Sequence, residues 1–219
     1  MKIKTIITGS SGMVGEGVLL ECLDNPEVEQ VLIISRKPSG RSHPKLREII
    51  HSDFFDWTSL EPQLTGYNAC FFCLGVSSVG MSAEEYKRIT HDLTLNVAQV
   101  LAKINPEMTF CYVTGKSTDS SEQGSMAWAR VKGATENALL RLFKNAYMFR
   151  PGLMKATAGQ KNLKIYYKMF AWIYPLGRAL YPASFCTLQE VARAMIRVAA
   201  YGGPKHILEV QDMVELAKR

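Results

Sequence analysis

Three glycines in Thr8-Gly9-Ser10-Ser11-Gly12-Met13-Val14-Gly15 are spaced as G-x-x-G-x-x-G. Gly9 permits a sharp turn, and Gly12 lets backbone N–H groups approach a diphosphate at a helix N-terminus, where the dipole favours an anion. Gly15 lets the helix close onto the preceding strand. Turns made for packing alone can show the same spacing; the position at the end of the first strand of an alternating chain favours the dinucleotide reading. Gly9, Ser11, Gly12, Met13, Val14 and Gly15 are therefore expected to hold a dinucleotide. About 20 residues on, where an acid would take a ribose 2′-hydroxyl, the chain has Ser35-Arg36-Lys37, with Arg41 close behind. A guanidinium there can pair with a 2′-phosphate. Arg36 and Lys37 thus predict NADP(H) rather than NAD(H), the plainer reading being a solvated basic loop. Asp53-Phe54, after the third strand, falls where an adenine edge would lie, although Asp53 serves equally well as a helix N-cap.

These residues need a frame to hold them. Apolar runs at Ile3–Thr8, Val31–Ser35, Glu48–Ser52, Ala69–Leu74, Thr109–Thr114 and Ala146–Phe149 are apolar on both faces, as strands of a covered parallel sheet are. Helices fall between them. One opens at Ser82 with Glu85 three residues on, continues through Tyr86, Ile89, Leu93, Val97, Val100 and Ile104, and stops at Asn105-Pro106. A second carries Trp128, Val131, Thr135, Leu139 and Leu142. Such alternation predicts an α/β fold, a doubly wound parallel sheet of Rossmann-like type. After Arg150-Pro151-Gly152 the alternation lapses until a helix at Thr187–Ala200, a strand at Ile207–Val210 and a short helix at Gln211–Arg219. The expectation is one dinucleotide-binding domain over 1–219, in which 153–219 contributes a small C-terminal cap on the substrate side.

With 47% hydrophobic and 21% charged residues, disorder is excluded. The net charge of +6 favours acidic partners, but no run of five basic residues occurs, so nucleic acid ranks behind small phosphates. Five cysteines in apolar runs indicate reduced thiols and predict a cytoplasmic protein. Cys70 and Cys73 form a C-x-x-C inside a strand, where i and i+3 face opposite sides, so buried thiols are expected rather than a metal or redox pair. The apolar stretch 165–182 is broken by Lys168, Pro175 and Arg178, so no transmembrane segment is expected.

Taken together, TGSSGMVG at 8–15, ISRK at 34–37, HSDFF at 51–55, CLGVSS at 73–78, YKRITHD at 86–92, YVTGKS at 112–117, VKGATE at 131–136 and FRPG at 149–152 carry a resemblance. The chain resembles the short-chain dehydrogenase/reductase superfamily, in its atypical branch around the Tat-interacting protein 2 oxidoreductases. The resemblance implies a Rossmann core with NADPH. Leu74 and Gly75 would border the nicotinamide-side ribose, and Pro151 and Gly152 would pass the nicotinamide face. It also implies catalysis by Ser or Thr with Tyr-x-x-x-Lys, whose lysine lowers the phenol's pKa and holds the ribose. The matching window is Trp128-Ala129-Arg130-Val131-Lys132. Lys132 is present, but tryptophan replaces the tyrosine, and an indole N–H only donates and does not titrate near neutrality. Thr114 or Ser117 would supply the hydroxyl, although ending a strand and capping a turn explains them equally.

Two functions compete. One is an NADP(H)-dependent oxidoreductase or epimerase-like enzyme on a small carbonyl or alcohol substrate, with a displaced proton source: Tyr166, Tyr167, Tyr174, Tyr181, His91 and Lys116 are open candidates. The other is a catalytically weak or inactive NADPH-binding regulatory or scaffold protein. In that case the basic aromatic segment 161–181 would meet a protein partner or a second copy.

Overall fold

Apolar alternation along each strand places neighbouring side chains in two different cores, one on either face of the sheet. Ile6, Cys70, Phe110 and Met148 pack in one core, while Ile7, Phe71, Cys111 and Phe149 pack in the other. The computed structural model describes residues 2–161 and 173–219. Strands β1 (Ile3–Thr8), β2 (Val28–Ser35), β3 (Leu46–Ile50), β4 (Ala69–Phe72), β5 (Thr109–Val113), β6 (Asn145–Arg150) and β9 (Ile207–Glu209) form one sheet in the order β3-β2-β1-β4-β5-β6-β9. Every pairing in it is parallel. Winding reverses between β1 and β4, and ligands of open α/β sheets bind at the carboxyl ends of strands beside such a reversal.

The helices are α1 (Met13–Asp24), α2 (Glu61–Leu64), α3 (Ala83–Lys87), α4 (Leu93–Ile104), α5 (Ala127–Leu142), α6 (Tyr174–Leu180), α7 (Leu188–Tyr201) and α8 (Val210–Leu216). Residues of α1, α7 and α8 line one core, and residues of α4 and α5 line the other. The doubly wound α/β sheet expected from the sequence is thus present.

Several details differ from expectation. The long helix predicted from Ser82 is broken by a π-turn at Arg88–Asp92, which 3.6-residue periodicity does not announce. Ser82 caps it by accepting from Glu85 N at 3.1 Å, one half of the expected reciprocal pair. Strand β2 begins three residues earlier than its apolar run, because Val28 pairs with Ile3. The lapse after Gly152 conceals a second, two-stranded parallel sheet of β7 (Leu153–Lys155) and β8 (Phe185–Thr187). Each strand is three residues long, too short for a periodicity to register. Within 153–219, α7 and β9 belong to the main layers, and the small sheet, hydrogen-bonded separately, packs against the same core through Cys186 and Met154.

Cys70 packs in one core and Cys73 against the other. Burial pushes both thiols up, Cys73 to about 12. Buried, protonated thiols are poor nucleophiles and poor metal ligands. Among the described residues no group of His, Cys, Asp and Glu could hold a metal ion, and no helix is long and apolar enough to cross a membrane.

Helix α7 starts with a reciprocal cap: Thr187 Oγ1 accepts from Glu190 N at 3.0 Å, and Glu190 Oε2 accepts from Thr187 N at 2.7 Å. Replacing Thr187 by Ala is expected to cost about 1 kcal/mol. Thermal melts should show this as a fall in Tm of roughly 2–4 °C; an unchanged Tm would show that the cap contributes nothing.

Candidate functional site

The turn after β1 is shaped by backbone contacts that exclude side chains. Gly9 has φ +69°, and a Cβ there would lie 2.7 Å from the carbonyl carbon of Cys73. A Cβ on Gly15 would lie 2.2 Å from Gly9 O. Gly12 N donates to Gly9 O at 2.9 Å, and Gly12 is the N-cap of α1 with no side-chain cap. The first helical bond runs from Glu16 N to Gly12 O, so the amides of Met13, Val14 and Gly15 have no partner within the helix. Ser11 and Gly12 are exposed beside them. Across the reversal, Leu74 N donates to Thr8 Oγ1 at 3.3 Å, joining the ends of β1 and β4. Among the described residues, a Cβ on Gly75 or on Gly115 would meet nothing within 4 Å. The donors of an uncapped helix and the open space above the strand ends together fit a diphosphate and what it carries.

Arg36 and Lys37 extend into solvent just past β2, and no hydrogen bond or ion pair holds either side chain among the described residues. Arg41 differs, because its guanidinium pairs with Glu16, a carboxylate buried in the first turn of α1. Glu16 Oε1 also accepts from Lys161 N at 2.8 Å, and Gln160 Nε2 donates to Met13 O at 2.7 Å. Residues 160–161 are thereby fastened to the start of α1. No carboxylate is adjacent to Arg36 along the chain, yet β3 brings one close to the end of β2. Glu48 Oε1 accepts from Ser39 N at 2.8 Å and lies 3.3 Å from Ser35 Oγ. Asp53 is not a helix N-cap; its Oδ1 accepts from Phe55 N at 2.9 Å within a turn, and Asp56 instead accepts from Thr58 N. Phe54 lies edge-on to Trp57 at 5.9 Å.

On the other side of the reversal, α5 carries Trp128 in its first turn and Lys132 one turn later. Lys132 Nζ reaches the end of β5, 3.3 Å from Thr114 O and 3.5 Å from Val113 O, and lies 5.8 Å from the Tyr112 ring. Burial pushes its pKa down to about 8, and the Glu136 carboxylate opposes that shift. Thr114 lines the site, but its hydroxyl hydrogen is engaged within the protein. Its hydroxyl donates to Glu136 Oε1 at 2.7 Å and lies 3.1 Å from Phe149 O. Glu136 is fully buried and takes Arg150 Nε at 3.0 Å together with a second bond from Arg150 Nη2, which also reaches Ser120. Glu136 and Arg150 fall within the VKGATE and FRPG motifs, but a charge pair between distant segments has no spacing signal that would mark it in the sequence. Ser117 is exposed and has φ +74°, an uncommon conformation for a residue with a side chain.

Thr114, Gly115, Lys116, Pro151, Gly152, Leu153, Met154 and Ser184 line a cleft of about 430 Å³ beside this centre. Several expected stand-ins for the tyrosine are elsewhere. His91 Nδ1 lies 2.7 Å from Asp92 Oδ1, and His91 lines a separate cavity with Glu122 and Arg130. Tyr174 accepts from Arg178 Nη1 at 2.7 Å, and Tyr181 is 67% exposed. Tyr166, Tyr167 and most of the aromatic segment 161–181 lie outside the described residues.

A parallel sheet reversing beside an uncapped, glycine-walled helix start defines a Rossmann-like dinucleotide-binding protein. A profile of the NAD dependent epimerase/dehydratase family matches residues 5–125, and the chain belongs to that family. "Protein fmp52, mitochondrial" of Emericella nidulans is 30% identical over 164 residues, 71% of this chain and 67% of its own length. "Protein HTATIP2" of Rattus norvegicus is 27% identical over 68% of this chain and 61% of its own. Among solved structures, the Helicobacter pylori ADP-L-glycero-D-manno-heptose-6-epimerase superposes with TM-score 0.65 at 14% identity, covering 99% of this chain and 81% of that one. Bordetella bronchiseptica WbmF, solved in complex with NAD+, superposes with TM-score 0.67 at 16% identity, covering 99% and 77%. The cytoplasmic placement expected from the sequence is corrected here, because the fmp52 relatives are named mitochondrial. Free thiols argue against an oxidising compartment but do not separate one reducing compartment from another.

Because the folded state disfavours the Lys132 ammonium, its burial cost is present in full below about pH 8 and relaxes as pH rises towards the unfolded value of 10.5. Relative to Lys132→Met, the wild type should gain about 1 kcal/mol between roughly pH 7 and pH 9. Urea unfolding of both proteins across that range measures it. A difference that does not move with pH would mean that the ammonium keeps its water.

Proposed function

We propose that this chain is an NADP(H)-dependent oxidoreductase acting on a small carbonyl or alcohol substrate, with residues 153–219 contributing the substrate-side cap of a single domain. The observation that carries the reading is the uncapped start of α1 facing open space, with two uncommitted cations, Arg36 and Lys37, at the end of the neighbouring strand. In this reading the amides of Met13, Val14 and Gly15, with Gly9, Ser11 and Gly12 forming the turn, hold the diphosphate. Arg36 and Lys37 take the 2′-phosphate, and Asp53 and Phe54 border the adenine. Leu74, Gly75, Pro151 and Gly152 flank the nicotinamide half. Lys132 binds the nicotinamide-side ribose, and Ser117 or Thr114 offers a hydroxyl. The bound coenzyme supplies or accepts hydride; the chain's own groups orient the substrate, exclude water and move the proton.

The preference for a 2′-phosphate rests on geometry as well as charge. Glu48, the carboxylate near the end of β2, already accepts from Ser39 N, and Arg41 is committed to Glu16. Arg36 and Lys37 are left to meet an anion. A second reading, a nucleotide-binding regulatory protein with weak or no turnover, is favoured by one observation: Trp128 stands where a titrating tyrosine would act. The names of the fmp52 relatives support a mitochondrial setting for either activity.

Titration followed by coenzyme fluorescence tests the assignment. Arg36→Ala should raise the Kd for NADPH about tenfold to a hundredfold, the worth of one or two charge-assisted hydrogen bonds, and leave NADH within about twofold. An unchanged NADPH affinity contradicts the 2′-phosphate site, and no binding of either coenzyme by the wild type ends the reading altogether.

A further inference from the structure

We infer that Lys116, steadied by Ser184, binds the substrate's oxygen in the cleft and supplies its proton, taking over the work of the absent tyrosine. This rests on the oxidoreductase reading above. Lys116 is the charged side chain among those lining the 430 Å³ cleft, whose other walls are largely Pro151, Leu153, Met154 and glycine backbone. Its backbone is fixed by Lys116 N donating to Pro151 O at 2.9 Å, at the head of the turn that holds Ser117 in its left-handed conformation. Strain of that kind tends to persist where the surrounding structure demands one geometry.

An ammonium has three donors. One goes to Ser184 Oγ at 2.6 Å and a second has Ala183 O at 3.5 Å, which leaves one N–H for the cleft. Ser184 is itself clamped, since a Cβ on Gly152 would lie 2.2 Å from its carbonyl oxygen. No carboxylate pairs with Lys116 among the described residues. The neighbouring cations are already engaged, Arg150 with Glu136 and Lys132 with the Thr114 and Val113 carbonyl oxygens. Lys116 is also exposed, so water can restore its proton after each turnover.

In the reducing direction, hydride with its electron pair is added to the carbonyl carbon and NADPH is oxidised to NADP+. The C=O π pair moves to oxygen, an Nζ–H bond of Lys116 breaks as the new O–H bond forms, and the neutral amine regains a proton from water. The cleft walls select a small, mainly apolar aldehyde or ketone.

The test uses the full chain with NADPH and a panel of aliphatic and aromatic aldehydes and ketones. Lys116→Ala should lower kcat/KM by about 10²- to 10⁴-fold, leave the fluorescence-measured Kd for NADPH within about twofold, and recover activity when ethylamine is added. Ser184→Ala should lower kcat several-fold with the same NADPH affinity. Turnover by Lys116→Ala at the wild-type rate overturns the inference, as does a wild type that binds NADPH and reduces no carbonyl in the panel. A wild type that binds no NADPH brings down the oxidoreductase reading instead.

Discussion

The carboxyl ends of β5 and β6 are fastened to α5 by one buried ion pair. Glu136 is fully buried, and carboxylates tolerate that only when paired and hydrogen-bonded throughout. It takes two bonds from Arg150, one from the Thr114 hydroxyl and a longer one, at 3.4 Å, from Ser120. Those partners come from the end of β6, the end of β5 and the loop before α5, so a single carboxylate sets where three segments meet. Removing one member would leave the other charge buried and alone, a cost of about 3–5 kcal/mol. The pair also decides chemistry. Because Thr114 spends its hydrogen on Glu136, its hydroxyl can meet a ligand only as an acceptor, while Lys132 Nζ lies against the carbonyl oxygens at the end of β5.

The glycine turn depends on a different exclusion. Gly9 and Gly15 are required by backbone that lies too close for any side chain, whereas a Cβ on Gly75 or Gly115 would meet nothing within 4 Å among the described residues. Only the first kind explains itself by packing. Glycine beside empty space at a sheet reversal, opposite amides without partners, is what a bound diphosphate and ribose would complete. Gln160 and Lys161 are fastened to the start of the same helix through Met13 O and Glu16 Oε1.

What the chain disclosed before its structure was known follows from range. The seven strands, the glycine turn and the capped helices depend on residues within a few positions of one another, and those patterns were legible. The π-turn at Arg88–Asp92 and the three-residue strands of the small sheet were not, since both are too short to show a period. The Glu16–Arg41 and Glu136–Arg150 pairs join residues 25 and 14 positions apart. Nothing in spacing distinguishes such partners from surface charges. The carboxylate of Glu48 escaped notice for the same reason: parallel pairing with β2 sets it beside Ser35, although it is 13 positions away in the chain.

Replacing a phenol by an indole changes what kind of acid the site can use. In the Tyr-x-x-x-Lys arrangement, a lysine one helical turn away stabilises the phenolate and so readies the tyrosine to exchange a proton. With Trp128 in that place, α5 offers Lys132 no phenol one helical turn away. Burial then works on it unopposed except by Glu136 and brings its pKa down to about 8. A cation that is costly to keep charged is well suited to gripping neutral ribose hydroxyls and poorly suited to standing in open water. Lys116 has the opposite environment, being exposed, tethered to a hydroxyl and a carbonyl, and directed to the cleft. In the proposed reading the two lysines divide between them the binding and the proton transfer that the resemblance assigns to a tyrosine and a lysine together, and burial is what separates their roles.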